Sequence, residues 1–321
     1  EPKGWDEAAI GCKILRRRRG IQPPFPLMTK EKAAGGKKKT AKQIFGYARL
    51  NFHMGMRQGK NLAVLLCMGC FLLYYLGGIR GYLASAEETV SVQELFLAMM
   101  NTHYTAMTVW VGYLLVICDI PYSEKGIYPY LIRTSRKSWL LGQILYLFLV
   151  TIFYFFYVGL VLAAAIVPHI SFRISWTNAF VKMLNAPWRC GIKNYFSFTF
   201  SLIKHNSQYV VVVRQLFLCL LVSMTLGMLT MAIHMLWKNG PGILVGAVAL
   251  ACDYLVTAVL DAIVGLRYFS PLTLSRISAL STSVNDRFNP SFSYACLFLG
   301  GLFVVSLSIS IWKLRRYEYG R

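Results

Sequence analysis

The stretch Asp119-Ile120-Pro121-Tyr122-Ser123-Glu124-Lys125-Gly126-Ile127-Tyr128-Pro129-Tyr130-Leu131-Ile132-Arg133-Thr134-Ser135-Arg136-Lys137-Ser138-Trp139 decides how this chain is read. Apolar runs long enough to cross a bilayer flank it on both sides. It carries Lys125, Arg133, Arg136 and Lys137, and short loops rich in Lys and Arg stay on the cytoplasmic side of a membrane. Pro121 and Pro129 bracket a short piece. From Tyr130 to Trp139 there is no helix breaker, so the spacing predicts about two and a half helical turns between two spans. Spacing alone leaves two readings open. The short basic helix contacts a cytoplasmic partner, or its charges only fix topology and meet lipid headgroups.

Outward from this stretch, six apolar runs reach the roughly 20 residues that a spanning helix needs. They cover residues 62–83, 95–118, 139–167, 210–237, 242–264 and 292–312. Charge predicts an N-in, C-in path. Inside fall the basic N-terminal region, the stretch 119–138, Lys238, and Lys313, Arg315, Arg316 and Arg321; Glu87, Glu88 and Glu94 fall outside. One loop runs against the rule. Residues 168–209 hold Arg173, Lys182, Arg189, Lys193 and Lys204 with no acid, yet the count places them outside; longer loops cross despite positive charge. The expected fold is an all-α polytopic membrane protein with six transmembrane helices, multi-pass in the cell membrane.

Composition agrees. The 321 residues are 56% hydrophobic, above the roughly 45–50% of soluble domains. The net charge of +21 gathers towards the N-terminus. Residues 1–40 form a basic arm broken by Pro23, Pro24, Pro26, Gly35 and Gly36; such a segment has little structure of its own and suits anionic lipid. No motif points to nucleic acid. Gly35-Gly36-Lys37-Lys38-Lys39-Thr40 lacks the spacing and preceding strand of a phosphate loop. Over residues 41–60 the period of a helix puts Lys42, Arg49, His53, Arg57 and Lys60 on one side and Ile44, Tyr47 and Ala48 opposite, with Asn51 a mismatch on the apolar side. This predicts an amphipathic helix in the inner interface, followed by the transmembrane domain at 61–316 and a tail at 317–321. No cleavable signal peptide is read. The eight cysteines show no pairing framework and read as small hydrophobes.

Two outer segments are expected to do more than connect. Residues 168–209 carry Trp176, Trp188, Tyr195, Phe196, Phe198 and Phe200, a composition favoured at the membrane interface. Residues 265–291, with Phe269-Ser270-Pro271-Leu272-Thr273, are expected to dip into the membrane and return. Ionisable groups inside a membrane are functional candidates because burying them is costly. Asn101, His103 and Thr105 lie in the outer half of the second span, and Asp253, Thr257 and Asp261 follow at i, i+4 and i+8 along the fifth. They line a substrate path, or they satisfy one another between packed helices. No set of convergent catalytic groups or metal-binding motif is seen, so no enzyme is expected in this chain.

An interfacial basic helix, six spans, a basic helix between spans two and three, and a partly apolar hairpin between five and six resemble an ATP-binding-cassette type-2 exporter permease. The local text is similar to bacterial members, especially Gram-positive ones. The matching stretches are Ala48-Arg49-Leu50-Asn51-Phe52, Asp119-Ile120-Pro121, Tyr130 to Gln143, and Tyr268-Phe269-Ser270-Pro271. The resemblance covers residues 41–316. It implies that Tyr130, Arg133, Thr134, Ser135, Arg136, Lys137 and Trp139 form the segment that couples to an ATPase. It also implies a separate cytoplasmic ABC ATPase holding ATP and Mg, with no cofactor in this chain, and a second permease, identical or not. The exported substrate would be hydrophobic or amphipathic: a peptide, a lipid or a drug, with an antimicrobial peptide as a guess by analogy. The rival expectations are a non-transporting membrane scaffold or sensor whose basic arm recruits a partner, and an ion-coupled carrier using Asp253 and Asp261.

Overall fold

Inside a bilayer an apolar run must satisfy its backbone polar groups within itself, and a helix does so. A computed structural model describes residues 36–120, 136–190, 198, 200–237, 242–259, 267–281 and 289–316. The chain divides into two compact units, Glu1–Lys39 and Thr40–Arg321. Of the first unit the described residues are Gly36–Lys39 alone, so the expected arm at 1–40 lies almost wholly outside them.

The described α-helices are α1 Gly36–Arg57, α2 Gly59–Ala86, α3 Val92–Asn101, α4 His103–Ile117, α5 Arg136–Ile166, α6 Asn178–Asn185, α7 Phe200–His205, α8 Gln208–Leu236, α9 Gly242–Tyr254 and α10 Phe292–Arg316. Among the described residues, α2, α5, α8 and α10 are long and apolar enough to cross a membrane, and no strand beyond one isolated bridge occurs. The chain is an all-α membrane protein. Helix α8 is the most enclosed of the four and packs against α4, α5, α9 and α10.

The run expected as one second span is two helices that meet at Thr102, whose backbone is extended (φ −82°, ψ 125°). Local side chains bond the carbonyls around the break, although the Thr102 amide still reaches the Ala98 carbonyl at 3.1 Å. Asn101 Nδ2 donates to the Leu97 carbonyl at 2.7 Å and Thr102 Oγ1 to the Ala98 carbonyl at 2.8 Å. Thr105 Oγ1 donates to the Met99 carbonyl at 2.6 Å. Side chains of this kind compete with the helical ladder, and at Met99 the Thr105 hydroxyl occupies the carbonyl that the His103 amide would use in a continuous helix. The fifth run also changes partway: α9 ends at Tyr254 and passes into a π-helical turn, Leu255–Val259.

In α1, Arg49, His53 and Arg57 are exposed while Ala48 and Asn51 are buried. Lys60 belongs to α2 and pairs with Asp119. Helix α1 rests on the early turns of α5. A Cβ on Gly142 would lie 2.8 Å from Tyr47 Cβ, and Phe52 meets Phe153 edge to face at 5.6 Å.

Two tyrosines three residues apart on α5, hence on one face, lock two other helices. Tyr157 Oη donates to the Leu65 carbonyl of α2 at 2.6 Å, and Tyr154 Oη to the Val109 carbonyl of α4 at 2.6 Å. Each hydroxyl sits over a glycine. A Cβ on Gly69 would lie 2.6 Å from Tyr157 Oη, and one on Gly112 would lie 2.5 Å from Tyr154 Oη.

Candidate functional site

The segment at residues 267–281 has no continuous helix of its own. Beyond Ser270 it makes two short 3-10 turns, Thr273–Ser275 and Ile277–Ala279. Its apolar residues Leu272, Leu274, Ile277 and Leu280 are buried, and so are Thr273, Ser275 and Arg276. A buried segment without a regular ladder must find partners for its polar groups elsewhere. Here most of them come from five side chains on the surrounding helices.

Gln215 of α8 and Asn101 of α3 handle the backbone. Gln215 Nε2 donates to the Ser275 carbonyl at 2.7 Å, and the Ile277 amide donates to Gln215 Oε1 at 3.2 Å. The Ser278 amide donates to Asn101 Oδ1 at 2.8 Å, and Asn101 Nδ2 closes the set on Gln215 Oε1 at 3.1 Å. Trp110 of α4 adds a bond from Nε1 to Ser275 Oγ at 3.1 Å.

Asp253 of α9 handles the side chains. Its Oδ1 accepts from Arg276 Nη2 at 2.7 Å, from Thr273 Oγ1 at 2.7 Å and from Ser270 Oγ at 3.5 Å. The two charged side chains are almost sealed: 4% of Asp253 and 8% of Arg276 is exposed. His103 completes the cluster from the first turn of α4. Its Nδ1 lies 3.2 Å from Arg276 Nη1 and 3.5 Å from Asp253 Oδ2. The π-helical turn brings Thr257 against the imidazole. Thr257 Oγ1 donates to the Asp253 carbonyl at 2.6 Å and stands 3.2 and 3.3 Å from the two ring nitrogens. π-Helical turns recur at functional positions.

Of the residues expected from sequence, His103, Asp253 and Thr257 therefore meet in one cluster. They satisfy one another together with Arg276. Asn101 belongs to the neighbouring clasp, and Thr105 bonds the break between α3 and α4 instead. Asp261 lies outside the described residues, as do Tyr130, Arg133, Thr134 and Ser135. Of the other expected coupling residues, Arg136 begins α5, Lys137 is exposed and Trp139 is buried. Sequence reasoning missed Arg276, Gln215, Thr273 and Ser270. The signal for Arg276 was an arginine set among Leu272, Leu274 and Ile277, and for Gln215 an amide inside a long apolar run.

A second buried carboxylate stands apart, where α3 begins. Ser91 caps α3 and forms a capping box with Glu94. Glu94 also accepts from the Thr177 amide at 2.6 Å and from Thr177 Oγ1 at 2.8 Å, while Gln208 Nε2 donates to Ser91 Oγ at 2.8 Å. One side chain thus ties the starts of α3 and α6 together, with α8 attached through Ser91. Burial pushes the Glu94 carboxyl above the ordinary carboxylate range; the hydrogen bonds from Ser91 and Thr177 pull the other way. Next to it Trp176 stacks on Phe180 at 5.8 Å with Phe198 alongside, and Lys182 pairs with Glu88.

Among the described residues no group of three His, Cys, Asp or Glu side chains is placed to hold a metal ion. What the arrangement does chemically is hold an irregular segment inside a helix bundle through one ion pair and one pair of amides. Family models, curated proteins and solved structures give no match to this chain.

Proposed function

We propose that this chain is the membrane subunit of an ATP-driven exporter. In this reading six segments cross the membrane with both termini in the cytoplasm. The chain works with a second permease and with a separate cytoplasmic ATPase that binds ATP and Mg. The cargo is a hydrophobic or amphipathic peptide, lipid or drug.

The observation that carries the reading is the place from which the basic stretch leaves and to which it returns. It departs beyond Asp119, which pairs with Lys60 at the start of α2, and re-enters at Arg136 at the start of α5. Helix α1, with Arg49, His53 and Arg57 exposed, packs against α5 one to two turns further on, where Gly142 meets Tyr47. Exposed basic residues on an amphipathic helix that packs near the described start of α5 suit contact with a cytoplasmic motor. The buried segment at 267–281 supports the same reading, as does the charge pairing of Asp253 with Arg276, which leaves that carboxylate poorly suited to carry an ion.

The test is gentle extraction of the chain from its native membrane and identification of what copurifies. A stoichiometric soluble ATPase is expected; its absence overturns the reading. With the complex in hand, Arg133→Glu with Arg136→Glu is expected to leave basal ATP hydrolysis in place and to abolish its link to transport. Unchanged transport in that variant removes the coupling role from these residues.

A further inference from the structure

The proton on His103 is fixed by its neighbours. A guanidinium has only donors, so Arg276 Nη1 at 3.2 Å is hydrogen-bonded to Nδ1 only while Nδ1 carries no proton. Thr257 Oγ1 gives its own hydrogen to the Asp253 carbonyl and stands almost equally far from both ring nitrogens, 3.2 and 3.3 Å, so it does not choose between them. The imidazole is therefore neutral, with its hydrogen on Nε2, and it accepts from the same arginine that anchors the buried segment.

A second proton changes these relations. An N–H at Nδ1 would face the Arg276 N–H across 3.2 Å, with positive charge on both sides. Its natural acceptor is Asp253 Oδ2, 3.5 Å away, the other oxygen of the carboxylate that holds Arg276. Two cations would then compete for one buried carboxylate, in surroundings where a charge without its own partner is costly. The charges facing His103 are Asp253 from α9 and Arg276 from the 267–281 segment. Arg267, at the start of that segment, adds repulsion to Arg276. Tyr104 and Tyr254 flank the ring, with centroids at 5.3 and 6.5 Å, and Tyr104 is mostly exposed. The His103 side chain is 17% exposed, while Asp253 and Arg276 are almost sealed.

We propose that His103 is a proton-binding site whose occupation loosens the hold of Asp253 on Arg276 and so releases Ser270 to Leu274, the residues of the 267–281 segment ahead of the Gln215 clasp. The release is partial by construction. Ile277 and Ser278 are held by Gln215 and Asn101, and neither amide side chain titrates. The site stands whether or not the chain couples to an ATPase.

Hydrogen exchange of the full chain in lipid nanodiscs tests it, at pH 8 and pH 5.5 with the intrinsic pH dependence of exchange removed. The amides of Thr273 and Leu274, which bond Ser270, are expected to lose protection about tenfold or more at the lower pH, while those of Ile277 and Ser278 keep theirs. His103→Asn retains an acceptor for Arg276 and takes up no proton in this range; its exchange is expected to match at the two pH values. Equal protection of the wild-type turn at both pH values overturns the proposal, with no variant needed. So does the same acid-induced loss in His103→Asn or, where that variant does not fold, in His103→Gln.

Discussion

Two clasps hold one segment, and they are made of opposite chemistry. The clasp at Gln215 and Asn101 is neutral and grips backbone: the Ile277 and Ser278 amides and the Ser275 carbonyl. The clasp at Asp253 is ionic and grips side chains, above all Arg276. A backbone grip fixes where the segment lies whatever its side chains are, and it does not respond to pH. A side-chain grip depends on one residue and on its state of charge. The difference divides the segment into a permanently seated half and a half whose seating is conditional.

The sharpest way to break this contrast is to remove one charge. Arg276→Met leaves the Asp253 carboxylate buried without a counter-charge, a change that costs about 3–5 kcal/mol. A large fall in the thermal midpoint of the purified chain is expected. Asp253→Leu with Arg276→Met removes both charges and is expected to regain most of the loss, because replacing a whole buried pair by apolar groups is often near neutral. Equal losses in the single and double variants would show that the pair is not what holds this half.

The neutral clasp should yield less. Gln215→Leu takes the acceptor from the Ile277 amide and the donor from the Ser275 carbonyl, at about 1–3 kcal/mol for buried groups left unsatisfied. The loss should be the same from pH 5.5 to pH 8, read by the same melting experiment.

Glu94 offers a third case, a carboxylate held only by neutral donors. Its folded-state carboxyl is raised above its ordinary value, so the folded chain binds this proton more tightly than the unfolded chain. The stabilising contribution of the protonated form is present in full below the unfolded value and is lost as pH rises through the raised one. Melting curves from pH 4 upward should show this decline in the wild type and its absence in Glu94→Gln. The smallest effect belongs to Lys60 and Asp119, whose side chains are 39% and 45% exposed. Lys60→Ala should cost less than about 1 kcal/mol, and less again in high salt.

Much of the architecture was legible because apolar runs of this length have one solution in a membrane. The amphipathic pattern around Arg49, His53 and Arg57 was legible for the same kind of reason, a period that matches one element. The break at Thr102 was not, since Asn101, Thr102 and Thr105 sit in a strongly apolar run and their competition with the helical ladder depends on rotamers. Asp253 and His103 stood out as ionisable groups at membrane depth. Their partner Arg276 did not: the segment was expected to dip into the membrane, but which of its side chains meets which helix is decided by tertiary packing. Gln215 was hidden by its neighbours Val211, Val212, Leu216 and Leu218; an amide in a span declares itself only when the backbone that it serves is seen.

The paired tyrosines of α5 carry a consequence for motion. Sliding α2 along α5 would first break the bond at Leu65 and then drive the Tyr157 ring across the bare Cα of Gly69, with one helical turn of travel being about 5.4 Å. Tyr154 imposes the same barrier on α4 through Gly112. The trio is keyed at one longitudinal setting, like shafts sharing a cotter pin. These contacts favour α2, α4 and α5 keeping one setting, and an alanine at Gly69 or Gly112 would push the facing tyrosine hydroxyl off its carbonyl and undo the key.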